Sequence, residues 1–400
     1  MRRLFQYRFP TQFWLMFVGM LFSAIGSSMI WPFLMIYVSS RLHQPLSVNA
    51  SLLTLNAVAG LTSSLIAGPI IDRLGRKRVM VISLLTNSLG YLLFSHASTL
   101  FHFAILMMIQ GASNPLYRIG ADAMMADLIP PEKRVDGYSL MRLSNNIGVA
   151  IGPAAGGIIA SVSYAIAFYC AAVGLAIYGF LLAFLAHETL PQLKTEDIDP
   201  SKERKYPLGG YLHIFGDREY MVFIAAFLFT QISATIMWVL LSVYAKTNYG
   251  VPENIYGFIP MTNALMVVLF QLPITALTRR FNPLPVITVG ALFYALGVGS
   301  VALGTGFWWF WASMVIMTIG ELIIVPTSST YVANLAPTDM RGRYMSLYGL
   351  TGVVANGVGP VAGGFLNDNI GPQAIWYGGG ISGLISGVLF GIFSLRRKHR

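Results

Sequence analysis

From Phe13 to Val38 the chain runs without a charged residue. Eleven further apolar stretches follow it. A helix needs about 20 apolar residues to cross the hydrocarbon core of a bilayer, so these runs limit the possible fold more than any other feature. They predict spans over 12–39, 49–71, 78–96, 101–127, 137–160, 164–186, 218–245, 255–278, 284–304, 307–334, 342–366 and 373–395. Only 10% of the 400 residues are charged and 55% are hydrophobic, whereas a soluble domain carries about 25% charged residues. The predicted fold class is an all-α membrane protein of twelve transmembrane helices. The first run is too long for the core of a cleavable signal peptide and lacks a small-residue cleavage site after it, so it reads as the first span. The single cysteine, Cys170, lies in an apolar run and has no internal disulfide partner.

The net charge of +10 is unevenly placed. Arg2, Arg3 and Arg8 precede the first span. Arg73, Arg76, Lys77 and Arg78 follow the second, and Lys133, Arg134 and Arg142 follow the fourth. Lys194, Lys202, Arg204 and Lys205 fall in a long polar stretch after the sixth. Arg279 and Arg280 follow the eighth, Arg341 and Arg343 the tenth, and Arg396, Arg397, Lys398 and Arg400 the last. If the spans alternate, all of these share one side, and Arg41 and Lys246 are left on the other. Cytoplasmic loops are enriched in Lys and Arg, which predicts a multi-pass protein of the cell membrane with both termini in the cytoplasm. The excess charge then reports topology and contact with anionic headgroups, and argues against nucleic acid as a partner.

The chain also repeats. Ala126-Asp127-Leu128-Ile129-Pro130 matches Ala333-Asn334-Leu335-Ala336-Pro337. Gly152-Pro153-Ala154-Ala155-Gly156-Gly157 matches Gly359-Pro360-Val361-Ala362-Gly363-Gly364, and Arg134 matches Arg341. Every pair is separated by 207 residues. This predicts an N-terminal six-helix bundle (1–187), a cytoplasmic linker (188–217) and a C-terminal six-helix bundle (218–400). Internal repeats of this kind are common in transporters, with the substrate bound near the midplane between them; the alternative is a purely structural duplication.

Three groups of residues carry the chemistry. The first follows span two and reads Gly68-Pro69-Ile70-Ile71-Asp72-Arg73-Leu74-Gly75-Arg76-Lys77-Arg78. Gly68 would permit close helix approach, Asp72 could be attracted to the N-terminus of a helix from the other half, and Arg76 could pair with Asp127. The loop resembles the G-x-x-x-D-R-x-G-R-K loop of the major facilitator superfamily. That likeness implies a cluster that latches the cytoplasmic side shut. The second-half counterpart is degenerate, with Arg279 in place of Asp72.

The second group is Gly148, Gly152, Pro153, Gly156 and Gly157. Glycines four apart share a helix face and admit a close neighbour, and Pro153 removes a backbone hydrogen bond. The pattern is similar to the G-x-x-x-G-P-x-x-G-G motif of the drug/proton antiporter branches of that superfamily. Helix packing explains the glycines equally well.

The third group is polar and lies within the spans. Gln110, Asn114, Arg118 and Asp122 step along one face of helix 4, with Tyr117 beside them. Glu321 sits near the middle of helix 10, and is the repeat mate of Asn114. The two are expected to face each other across a central cavity, with Trp31 and Trp238 on helices 1 and 7. Ionisable groups at bilayer depth are costly and mark function. A buried carboxylic acid is favoured in its neutral form, so Glu321 is the expected proton carrier. Its alternative is a static hydrogen bond, and Arg118 and Asp122 can equally neutralise each other. The family's helix-4 pattern R-x-x-Q-G keeps only Gln110-Gly111, with Met107 where its arginine stands.

The six histidines form no ligand spacing, no phosphate-cradling G-x-x-x-x-G-K-[ST] loop occurs, and no catalytic set suggests an enzyme. The resemblance implies a monomeric secondary-active transporter without metal or cofactor, with H+ as the coupling ion, exporting lipophilic or cationic drugs by alternating access. The alternative is a carrier of a defined metabolite such as a sugar, amino acid or lipid-linked solute, with a membrane enzyme or receptor further off.

Overall fold

The structure, a computed structural model, describes residues 9–130, 133–190, 214–337 and 340–398. Arg2, Arg3, Arg8, Lys194, Lys202, Arg204, Lys205, Arg400 and most of the expected linker lie outside the described residues. Twelve long helices account for nearly all of the described chain: α1 Thr11–Leu42, α2 Leu46–Leu74, α3 Arg76–Phe94, α4 Leu100–Leu128, α5 Arg134–Val162, α6 Tyr164–Leu185, α7 Arg218–Tyr249, α8 Phe258–Thr278, α9 Pro283–Ser300, α10 Gly306–Leu335, α11 Arg341–Asn369 and α12 Ala374–Lys398. A single helical turn, Glu253–Tyr256, precedes α8. Ten of the twelve are long and apolar enough to cross a membrane. The other two are the more polar α3, which opens on Arg76-Lys77-Arg78, and α4, which carries the stripe from Gln110 to Asp127.

Helix ends follow local chemistry. Thr99 accepts from the His102 N–H at 3.2 Å and Asp217 from the Tyr220 N–H at 3.0 Å, each satisfying a donor with no intrahelical partner. Gly250, in the left-handed region at φ 65°, stops α7. Successive helices run in opposite directions, so the turns after α2, α4, α8 and α10 gather at one end, termed the basic end for its Arg and Lys residues.

The repeat seen in the sequence is also a repeat of contacts. The Ser28 hydroxyl donates to the Gly148 carbonyl at 3.1 Å, joining α1 to α5, and 207 residues on the Thr235 hydroxyl donates to the Ala355 carbonyl at 3.1 Å, joining α7 to α11. Arg134 donates to the Ala126 carbonyl at the end of α4 (2.7 Å), and Arg341 to the Ala333 carbonyl at the end of α10 (3.0 Å). Such cations complete the free carbonyls and dipole of a helix C-terminus. Tyr37 packs edge-on to Phe103 with centroids 6.0 Å apart, and Tyr244 to Phe310 at 5.7 Å. Tyr37, Met237 and Tyr244 are buried in the core.

The hydrogen bonds that join the first six helices to the last six all lie toward the end opposite the basic one, among the described residues. Antiparallel α2 and α11 meet there. The Thr54 hydroxyl donates to the Gly357 carbonyl, and a Cβ on Gly364 would sit 2.7 Å from the Ser47 backbone. The repeat-equivalent contact brings Gly157 of α5 against the backbone of Glu253. These contacts close the end opposite the basic one.

Candidate functional site

The α2–α3 loop is built within the first half. Gly75 takes φ +91°, a backbone region that favours glycine, and turns the chain so that α3 starts at Arg76. The Arg76 guanidinium pairs with Asp127 at the end of α4 and also donates to the Thr189 carbonyl at 3.0 Å. The Glu188 carboxylate, just past α6, accepts from the N–H groups of Arg76 (3.0 Å) and Lys77 (3.1 Å). An acid at a helix N-terminus is favoured by both free donors and dipole. Asp72 and Arg73 are exposed; Asp72 has no ion pair, and no atom lies within 4 Å of where a Gly68 Cβ would be. The expected close approach at Gly68 and docking of Asp72 on the other half are thus not made in this structure.

The α5 motif divides into two faces. Cβ atoms at Gly148, Gly152 and Gly156 would meet Ala24, Ser28 and Met29 of α1, so this stripe is packing inside the first half. Pro153, Ala154 and Gly157 face the segment from Glu253 to Gly257 of the second half. One helix thus binds its own bundle with one face and the other bundle with the next.

On α4 the polar stripe opens into a cavity of about 390 Å³ on the inner face of the first half. Gln110, Asn114, Tyr117 and Trp31 line it, together with Asn56, Asn87, Tyr91 and Asn145. Asn87 donates to the Asn114 side-chain oxygen at 3.0 Å, and the Tyr117 hydroxyl to the Tyr178 hydroxyl at 3.4 Å. Arg118 and Asp122 lie further toward the basic end, both exposed, and do not form an ion pair. The alternative of a neutralising ion pair between them is not formed at contact distance.

Glu321 is bonded within the second half. Its carboxylate accepts from the Asn263 side-chain amide of α8 at 2.8 Å, and the same amide reaches the Thr318 hydroxyl at 2.9 Å. Thr318 in turn donates to the Met314 carbonyl at 2.7 Å. The first-half counterpart shows why. Asn56, 207 residues before Asn263, donates directly to the Met107 carbonyl at 2.9 Å, since Gly111 holds the place of Thr318 and α2 and α4 touch through backbone. In the second half the threonine hydroxyl intervenes and Asn263 is left to hold the acid. Trp238 is partly buried against the core, while its repeat mate Trp31 is open to the first-half cavity.

The sequence did not single out two clusters at the end opposite the basic one. The Asp368 carboxylate of α11 accepts from the Leu46 N–H (3.1 Å), the Ser47 N–H (2.9 Å) and the Ser47 hydroxyl (2.6 Å) at the start of α2. Glu253, only 6% exposed, accepts from the Tyr164 hydroxyl of α6 at 2.8 Å and from Lys246 at 2.9 Å. Lys246 had stood out as one of two cations on its side, the only sequence signal for either cluster. No group of three or more His, Cys, Asp or Glu residues suited to a metal occurs among the described residues.

Known proteins place this architecture. The chain is 25% identical over 414 residues to the Na(+), Li(+), K(+)/H(+) antiporter of Planococcus maritimus, covering 96% of this chain and 94% of that one. It is 28% identical over 313 residues to the class E tetracycline resistance protein of Escherichia coli, covering 74% and 72%. A solved POT family transporter in complex with a thioalcohol-conjugated peptide superposes with a TM-score of 0.78 at 17% identity, covering 97% of this chain and 96% of that one; the likeness is one of fold. A profile of the Major Facilitator Superfamily matches residues 16–244 and 222–400, so that profile, the twelve helices and the duplicated contacts lead to one conclusion: the chain belongs to the Major Facilitator Superfamily of membrane transporters.

Proposed function

We propose that the chain is a secondary-active exporter of lipophilic or cationic compounds, coupled to protons through Glu321 and working by alternating access. The observation that carries this reading is the setting of Glu321. Among the described residues it is the one carboxylate of α7–α12 that lies between helix ends, and its hydrogen-bond partner is a neutral amide rather than a cation. A lone charge at bilayer depth is expensive, so a proton is the natural counter-charge when the site is closed to water. The antiport and resistance functions in the names of the relatives support this direction. The basic end is assigned to the cytoplasm by the positive-inside rule, so the conformation is open inward. In the outward-open state Asp72 docks on the N-terminus of α11, where Gly68 provides the room for it.

The test is flux in liposomes carrying a pH gradient, with tetraphenylphosphonium as the cation, for the native chain and Glu321→Gln. Gradient-driven flux in the native chain that the substitution removes is the expected result. Flux indifferent to both gradient and substitution would refute proton coupling. The uncharged polar wall of the first-half cavity favours a second reading, a carrier of a defined polar metabolite; absence of any cation flux would support it.

A further inference from the structure

The first-half cavity has a chemical character of its own. Five amide side chains line it, from Asn56, Asn87, Gln110, Asn114 and Asn145, and no Asp, Glu, Lys or Arg does. Amides recognise by hydrogen bond and not by charge. The pairing among them is incomplete. Asn87 is 3% exposed, and after donating to Asn114 its own side-chain oxygen has no partner. Buried polar atoms without a partner are rare in folded proteins, and each needs an explanation. Asn114 accepts that bond with its oxygen, which leaves its NH2 group to the cavity, where the residue is exposed. The Asn114 NH2 group is thus a donor on this wall, and Asn56, whose NH2 group is taken by the Met107 carbonyl at 2.9 Å, keeps its side-chain oxygen as an acceptor there. Trp31, 41% exposed, adds a flat apolar wall.

We infer that this cavity recognises an uncharged portion of the substrate carrying both a hydrogen-bond donor and an acceptor, as an amide or a hydroxyl does, next to a planar apolar group. This rests on the reading of the chain as a carrier and names the substrate class for its first-half wall. The acid of the second half, Glu321, is held apart against α8, so the two halves divide the work: polar recognition on one, ion exchange on the other.

Equilibrium binding to the full chain in lipid nanodiscs tests this without requiring transport or a proton gradient. The two probes are chloramphenicol, a neutral aromatic amide diol, and tetraphenylphosphonium, a cation without donor or acceptor. Asn87→Leu keeps the approximate volume and removes the hydrogen bond that holds the Asn114 amide in place at 3.0 Å. The expected result is roughly tenfold weaker chloramphenicol binding, the scale of one lost hydrogen bond, with tetraphenylphosphonium binding unchanged. Asn145→Leu, on the same wall and outside the buried amide pair, gives the same selective loss and serves if Asn87→Leu does not fold. Equal weakening of both probes, no weakening of either, or no chloramphenicol binding to the native chain overturns the inference. Cation flux that still depends on Glu321 alongside any of those results shows that the exporter reading survives and only the cavity assignment fails.

Discussion

Asp368 and Ser47 lie 321 positions apart in the chain, yet the carboxylate of one accepts both the N–H and the hydroxyl of the other, at 2.9 and 2.6 Å. This joins the C-terminal end of α11 to the N-terminal end of α2. Pro45 precedes α2 and offers its first turn no side-chain cap, so an acid from the other half supplies it. The contact exists only while the halves touch at this end.

Asp368→Asn removes the charge from that contact. A hydrogen bond to a charged group contributes about 1.5–3 kcal/mol, so the state open at the basic end loses up to about two orders of magnitude in its ratio to the opposite state. In a Cys170→Ser background, a cysteine at Asn145 is expected to react more slowly with a membrane-impermeant maleimide added from the basic side. An unchanged rate would show that the contact does not hold the conformation.

The pair formed by Arg76 and Asp127 has side chains 13% and 25% exposed, and is expected to contribute roughly 1 kcal/mol of coupling to stability. A double-mutant cycle of Arg76→Ala and Asp127→Ala on thermal unfolding in detergent measures it. Strict additivity of the two substitutions would contradict the pairing.

Glycines that look alike in sequence differ sharply in what surrounds them. Gly156→Val would drive a side chain into the Met29 backbone of α1, and is expected to destabilise the fold by about 1–3 kcal/mol or more. Gly68→Val enters open space. It is expected to leave the melting temperature nearly unchanged while slowing transport, since closure of the basic end needs that space. Normal transport by Gly68→Val would remove Gly68 from the cycle.

Asn263→Leu should act through Glu321. It removes the amide that holds the carboxylate at 2.8 Å without touching the acid itself. The pH midpoint of gradient-driven flux is expected to move, whereas Glu321→Gln abolishes the pH dependence altogether. A flux–pH profile identical to that of the native chain would mean that the amide is a spectator.

The twelve helices were legible because each must bury its own backbone bonds in lipid, which writes a long apolar run into the sequence. Their order and the shared offset were legible for the same reason that Ser28 and Thr235 make equivalent bonds. Arg76 and Asp127 could be paired because the loop motif and the end of α4 belong to adjacent helices. What could not be read was anything set by the angle between the halves. Asp368 and Glu253 are ordinary acids near helix ends until α2 and α6 are brought against them. The partner of Glu321 was missed for a different reason. The repeat drew attention to Asn114 as its mate across the cavity, while Asn263, itself a repeat mate of Asn56, sat in the second turn of α8 without a motif around it.

The exchange of Gly111 for Thr318 reaches beyond the acid it frees. In the first half α2 and α4 are in backbone contact, and the loop that follows α2 is tied to α4 by Arg76. In the second half α8 and α10 are spaced by a hydroxyl, and toward the basic end a cleft of about 690 Å³ separates them, lined by Thr275, Arg279, Thr330 and Asn334. The two equivalent helix pairs are thus unequally packed, the first backbone to backbone and the second with room between its helices. If Glu321 exchanges a proton as proposed, the room beside it lies in the more loosely packed pair.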